Sequence, residues 1–257
     1  MRTVCTIAGR ELRGIFHSPV AYVVLAGFLL LGGWFFYNLL GRFSMLLSLY
    51  SSTQAGGSEA GLNLNEFVVG PLLHNLAVIL VILVPMMTMR SIAEERRAGT
   101  MELLLTSPIT TGQLVLGKFL GLATFVSLVV GSALAYGWIL AQFGNPEVAV
   151  MMLGYFGLWL MSLVFVAIGI FASSLTENQI IAAVTGLVIM LLLFMIAWPA
   201  EDASPGLAKA LEYLSITAHF DSLVRGVLST NDLVYFLSMI AGWLFLAQRS
   251  VESLRWR

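Results

Sequence analysis

The polar residues of this 257-residue chain are few enough to be weighed cluster by cluster. The densest cluster is Glu94-Glu95-Arg96-Arg97, followed by a Gly99-Thr100 break and then by Met101-Glu102-Leu103-Leu104-Leu105-Thr106-Ser107-Pro108. Side-by-side acids and bases make charged contacts at the rim of an interface, where they govern orientation and on-rate more than affinity. The residues beyond them read as one short rigid helix, Met101–Thr106. Thr100 caps it, Glu102 stands in its first turn where the dipole favours an anion, and Ser107-Pro108 ends it because a residue before proline avoids the α region. Leu103, Leu104 and Leu105 are successive, so at roughly 100° per residue they cannot share one face. Part of that apolar surface needs a cover, and either lipid or a docked partner supplies it.

A second polar group, Thr217-Ala218-His219-Phe220-Asp221 with Arg225, lies towards the C-terminal end. Asp221 and Arg225 stand four apart and suit a pair on a helix surface. His219 reads as a local hydrogen-bonder near a helix end, and His74 as a satisfied interface histidine. Neither histidine brings a catalytic set with it. Cys5 is the one cysteine, there is no His-Glu-x-x-His helix, and no Ser and His sit deep in separate apolar runs, so metal and intramembrane-protease chemistry are both excluded. Gly112-Gln113-Leu114-Val115-Leu116-Gly117-Lys118 imitates the first seven positions of a phosphate-binding loop. Phe119 then stands where a hydroxyl would hold magnesium, and the segment opens an apolar run instead of joining a strand to a helix. Gly117 and Gly121 read instead as a small-xxx-small face for close helix packing.

The framework that positions these residues is set by composition. Hydrophobic residues make up 59% of the chain and charged ones 11%, against about 25% charged in an average soluble protein. That balance excludes a soluble enzyme and a disordered chain. Thirteen basic residues against fourteen acidic ones, a net charge of -1, exclude a nucleic-acid binder. Six apolar runs are legible, at about 19–41, 67–89, 114–143, 148–171, 179–200 and 233–248, and only the third holds a charge, Lys118 near its start. They must be helices, since lipid offers no partner to an open strand edge. Uncharged mid-spans also exclude an ion-coupled secondary transporter, which needs charged or strongly polar groups at depth.

Orientation follows from the basic residues. With the N-terminus inside, Arg2, Arg10, Arg13, Arg90, Arg96, Arg97, Lys118, Arg249, Arg255 and Arg257 are cytoplasmic, while Arg42, Lys209 and Arg225 are outside. Residues 1–18 read as an amphipathic interfacial helix or a basic topogenic tail, and the first run is too long for a cleaved signal peptide. Residues 42–66 read as a mobile outer loop. Thr110-x-x-Gln113 is a capping box that opens span three, and 201–230 form an outer helical hairpin started by Pro205-Gly206. The expected fold is an all-α polytopic membrane protein. It has six transmembrane helices, cytoplasmic termini, a short cytoplasmic helix between spans two and three, and an outer hairpin before span six.

The run from Ser91 to Thr110 resembles the coupling region of ABC type-2 permeases, whose pattern E-x-x-x-G-T-x-E-x-L-x-x-x-P is met here from Glu95 to Pro108. Gly117-Lys118 entering span three, Arg10-Glu11-Leu12, Ser18-Pro19-Val20-Ala21-Tyr22 and Thr217–Asp221 with Arg225-Gly226 extend the likeness over nearly the whole chain, and the opening is most similar to the gliding-motility-type permease subunit. The resemblance implies one bacterial inner-membrane permease domain over 1–257, not itself an enzyme. ATP and magnesium would bind two copies of a cytosolic ABC ATPase, and this chain would bind no cofactor. A second permease copy or a paralogous subunit would complete the pathway, and an auxiliary membrane protein with a large outer domain often joins. Glu94, Glu95, Arg96, Arg97, Gly99, Thr100, Met101, Glu102, Leu103, Leu104 and Leu105 would receive the ATPase, with His219, Phe220, Asp221 and Arg225 on the outer hairpin. Copper-site maturation, drug or lipid export, and a purely structural membrane protein remain the alternatives.

Overall fold

The computed structural model describes residues 2–53, 63–101, 109–198 and 204–254. Helix α1 (Arg2–His17) leads through Ser18 into α2 (Pro19–Thr53). A π-helical turn (Asn65–Val69) opens α3 (Gly70–Thr88), and α4 (Ala93–Arg97) is a single inner turn. Next come α5 (Thr111–Ser132), α6 (Leu134–Phe143), α7 (Val148–Leu175) and α8 (Gln179–Met195). The outer hairpin is α9 (Pro205–Leu214) with α10 (Ile216–Val224), and α11 (Thr230–Ser253) follows. Among the described residues, five stretches are long and apolar enough to cross a membrane: α2, α3 with its flanks, α5 continued by α6, α7 and α11. The sixth is α8, whose 17 residues make about 25 Å of helix against a hydrocarbon core of about 30 Å. The chain is a polytopic helical membrane protein.

Helix α7 is the hub. It is buried almost continuously from Leu158 to Ser174 and packs against α3, α5, α8, α10 and α11. Lipid tails are as apolar as leucine, so close packing rather than water exclusion must hold such a helix in place. Its glycines permit that approach. A Cβ at Gly169 would overlap Thr88 of α3, and at Gly157 it would lie 2.9 Å from Leu223 of α10. The Asn145–Glu147 and Thr176–Asn178 connections are too short for anything but antiparallel neighbours, as the sequence implies.

Three elements differ from expectation in extent. The first span does not stop at Gly41. Helix α2 continues to Thr53, so the first part of the expected outer loop is helical. No breaker follows Arg42, and the Ser44 and Ser48 hydroxyls fold back on the Gly41 and Met45 carbonyls instead of competing for the helix. The third span divides at Ala133, whose carbonyl accepts from the Tyr155 hydroxyl at 3.0 Å. The last span, short by sequence, belongs to a 24-residue helix.

Helix α1 is amphipathic, but it lies on protein as well as at the interface. Its buried residue is Ile7, and its partner is α5. Gly117 and Gly121 make the contact: a Cβ at 117 would meet Ile7 at 2.7 Å, and one at 121 would meet the Ala8 carbonyl oxygen at 2.9 Å. The small-xxx-small face thus receives α1 rather than another span.

Two outcomes are expected. The native Cys5 is exposed on α1, so it should react with impermeant thiol reagents only after the membrane is opened; in a Cys5→Ser background, a cysteine at Lys209 should react from outside. Gly121→Val should lift α1 from α5 at a cost of about 1–3 kcal/mol, seen as faster motion of a spin label on Cys5.

Candidate functional site

The inner loop between α3 and α5 is fastened to the bundle before it reaches the segment expected to meet a partner. Ser173 of α7 accepts from the Ile92 and Ala93 amides, each at 3.0 Å, and donates to the Met89 carbonyl. One hydroxyl therefore satisfies both sides of the α3–α4 corner, where backbone groups would otherwise be stranded. Arg96 then reaches back, donating to the Ser174 carbonyl at 2.9 Å and to Glu177 at 3.2 Å. Gly99 ends α4 at φ +69°, a left-handed conformation that favours glycine. The far end of the loop is fixed by the expected capping box, with Thr110 and Gln113 bonded reciprocally.

Lys118 is the centre of the region. Its side chain is 1% exposed, and its ammonium donates to the Ser91 carbonyl at 2.6 Å and to Glu11 at 3.2 Å. It also lies 2.9 Å from Glu95 Oε1, which accepts from Arg10 at 3.0 Å. Four charges from α1, α4 and α5 thus form one node. A notch of about 440 Å³ opens beside it, lined by Arg90, Glu94, Met86, Leu122 and Phe125 among others. The C-terminal helix joins the same end of the bundle: Glu252 accepts from Thr111 at 3.0 Å, and Ser250 donates to the Ser174 carbonyl.

This geometry divides the expected contact cluster. Glu95 and Arg96 are turned inward and paired within the chain, whereas Glu94, Arg97, Gly99 and Thr100 are exposed. Met101 is buried in the core. Glu102, Leu103, Leu104 and Leu105 lie outside the described residues. Lys118, Glu11 and Ser173 were not among the expected contact residues. The signal for the first was present: a lone charge at the edge of an apolar span must find a counter-ion.

The outer hairpin residues lie at the opposite end, where they turn to separate partners. His219 packs face to face on Tyr235 at 4.0 Å, and its ring nitrogens lie 2.7 Å from Asp232 and 3.1 Å from the Tyr213 carbonyl. Phe220 is fully buried. Asp221 does not form the expected helix-surface pair with Arg225. Its carboxylate is taken by His74 of α3 at 2.7 Å, because the hairpin folds down on that helix.

The inner end thus combines a node of charge with a fastened loop, and an apolar middle separates it from the outer end. The family model for ABC-2 family transporter proteins matches residues 5–248. The chain belongs to that family. Two relatives, each described as a probable multidrug ABC transporter permease YbhR, come from Escherichia coli K12 and O157:H7. Each is 31% identical over 159 residues, 59% of this chain, which spans only 41% of those relatives' length. The ABC-2 chain is thus a multi-pass protein of the bacterial inner membrane, in a family of transporter proteins.

Lys118→Met should strand the mostly buried Glu11 carboxylate, leave Glu95 with Arg10 alone, and destabilise the ABC-2 fold by about 3–5 kcal/mol. Adding Glu11→Gln and Glu95→Gln should recover part of that loss. Thermal unfolding of the purified single and combined variants would read the coupling.

Proposed function

We propose that this chain is the membrane permease of an ATP-driven exporter, worked by a separate cytosolic ABC ATPase through residues 94–105. The observation that carries the reading is the anchoring of α4. Ser173 and Arg96 tie it to α7, and the Glu95–Lys118–Glu11 node ties it to α5 and α1. A force applied beyond Gly99 therefore reaches three elements at once. The exposed Glu94 and Arg97 supply rim charges for orientation, and Leu103, Leu104 and Leu105 supply apolar surface for a docking pocket.

Two ATPase copies and two permease copies make up the assembly, with ATP and magnesium held by the ATPases. The exposed apolar faces of α2, α8 and α11, among them Trp34, Tyr37, Ile180, Leu192 and Phe245, supply surface for a second permease and for lipid. The cargo is amphipathic. Mid-depth spans without fixed charge suit it, and the relatives' description as multidrug permeases favours export over mechanical work on an outer partner.

Glu102→Arg with Leu104→Arg should uncouple the assembly while leaving insertion intact, since no span is touched. One fully buried leucine contributes about 1.5–3 kcal/mol, so ATPase co-purification should fall at least tenfold. Normal ATPase binding and ATP-dependent transport in the double variant would make this segment a lipid-facing connector.

A further inference from the structure

Helix α10 is fastened on both sides by a histidine–carboxylate contact, and it gives a different member to each. Towards α3 it gives Asp221, whose carboxylate lies 2.7 Å from Nε2 of His74. Towards α11 it gives His219, whose Nδ1 lies 2.7 Å from the Asp232 carboxylate. The second nitrogen of each ring faces an oxygen that can only accept. His74 Nδ1 meets the Gly70 carbonyl at 2.9 Å, and His219 Nε2 meets the Tyr213 carbonyl at 3.1 Å.

A neutral imidazole has one N–H and one acceptor nitrogen. Between a carbonyl and a carboxylate it satisfies one oxygen and sets a lone pair against the other. Turning either ring over would set carbon against both oxygens. One proton must therefore lie in each 2.7 Å contact, whichever partner holds it, besides the proton donated to the carbonyl. Asp232 is 4% exposed, and among the described residues its second oxygen has no hydrogen-bond partner, so His219 alone holds that carboxylate.

The surrounding charges are few. His74 is faced by Asp221 and by Arg225 at the end of α10, while Glu66 of the π-helical turn and Glu147 of the α6–α7 turn line the same outer cavity. His219 meets Asp232 and Tyr235 of α11 and Tyr213 of α9. Of the other helices packed on α10, α8 has no titratable side chain, and α7 has Tyr155, whose hydroxyl is bonded to the Ala133 carbonyl.

We infer that the outer hairpin is a proton-held closure: α10 stays docked while each contact keeps its extra proton, and alkaline pH on the outer side releases it. The docked state binds more protons than the released one, so docking is favoured at low pH and lost as pH rises. Release opens the contact at Gly157, where Phe220 and Leu223 close on α7. The closure stands at the outer end and is independent of the ATPase-coupling reading.

Electron–electron distance measurements on the full chain in nanodiscs test it. In a Cys5→Ser background, spin labels go on Phe143→Cys at the end of α6 and Lys209→Cys on α9, both exposed. One coupled proton changes the ratio of docked to released hairpin by up to tenfold per pH unit. That ratio should fall at least tenfold between pH about 6 and about 9, where histidine titrates. Asp221→Asn with Asp232→Asn gives the discriminating result. An asparagine amide can donate to a neutral ring, so both contacts survive without the extra protons, and the hairpin should stay docked at the higher pH. Each single Asn variant should retain about half the pH dependence, since one of two protons is removed. Distances that do not change with pH in the unsubstituted pair, an undiminished pH response in the double Asn variant, or a hairpin released at both pH values in that variant would each overturn the inference.

Discussion

The inner end of this protein is organised by one ammonium group that water does not reach. An isolated charge in a low-dielectric site costs several kcal/mol even after relaxation, so it persists only where partners surround it. Lys118 draws those partners from separate parts of the chain: Glu11 from α1, Glu95 from α4, and the Ser91 carbonyl from the corner between α3 and α4. None of these elements can leave singly without exposing a buried charge to apolar surroundings. The node therefore does what a hydrophobic contact cannot do within lipid, where apolar surface gains nothing by meeting protein instead of an acyl chain.

The rest of the bundle follows from placing such polar work at the two ends. The inner end holds the node and the Ser173, Ser174 and Glu252 bonds. The outer end holds two histidine–carboxylate contacts, His74 with Asp221 and His219 with Asp232. Between them α7 is packed mainly by glycine-assisted apolar contact, with the Tyr155 and Trp159 hydrogen bonds to Ala133 and Ser127 beside it. A dry, closely packed middle transmits displacement well because interiors of this density do not deform continuously. Polar clusters at the ends define which elements move together. Under the coupling proposed above, a push on α4 would carry α1 and α5 with it, and the close α7–α10 contact at Gly157 would link that motion to the hairpin.

Much of this was legible in the sequence, and the reasons differ by element. The spans were readable because lipid imposes a length and a composition that few alternatives share. The capping box at Thr110 and Gln113, the break at Gly99 and the start of α9 at Pro205 were readable because each depends on local stereochemistry. Gly117 and Gly121 were recognised as a packing face, yet their partner was not, since a small-xxx-small stripe carries no address. The ion pairs were the least legible. Asp221 had a local partner at Arg225 by helix spacing and took His74 instead, 147 residues away, and Glu95 and Arg96 looked alike in a run of four charges but face inward beside outward-facing neighbours. Long-range pairing is decided by how helices dock, which periodicity does not encode.

A charged node shared by α1, α4 and α5 has a further consequence. Buried ion pairs are weak sources of stability compared with apolar packing of the same volume, but they discriminate sharply between arrangements, because an ammonium separated from its carboxylates loses most of its attraction within a few ångströms. Apolar contact between α1 and α5 would permit sliding. The Lys118–Glu11 bond permits little, and the Gly121 contact with the Ala8 carbonyl sets the distance of approach. Helix α1 is consequently held in one register on α5 while its exposed face stays at the headgroups. A displacement of α5 must then tilt α1 against the membrane surface rather than slip past it, and the amphipathic helix becomes part of the moving body instead of a passive anchor.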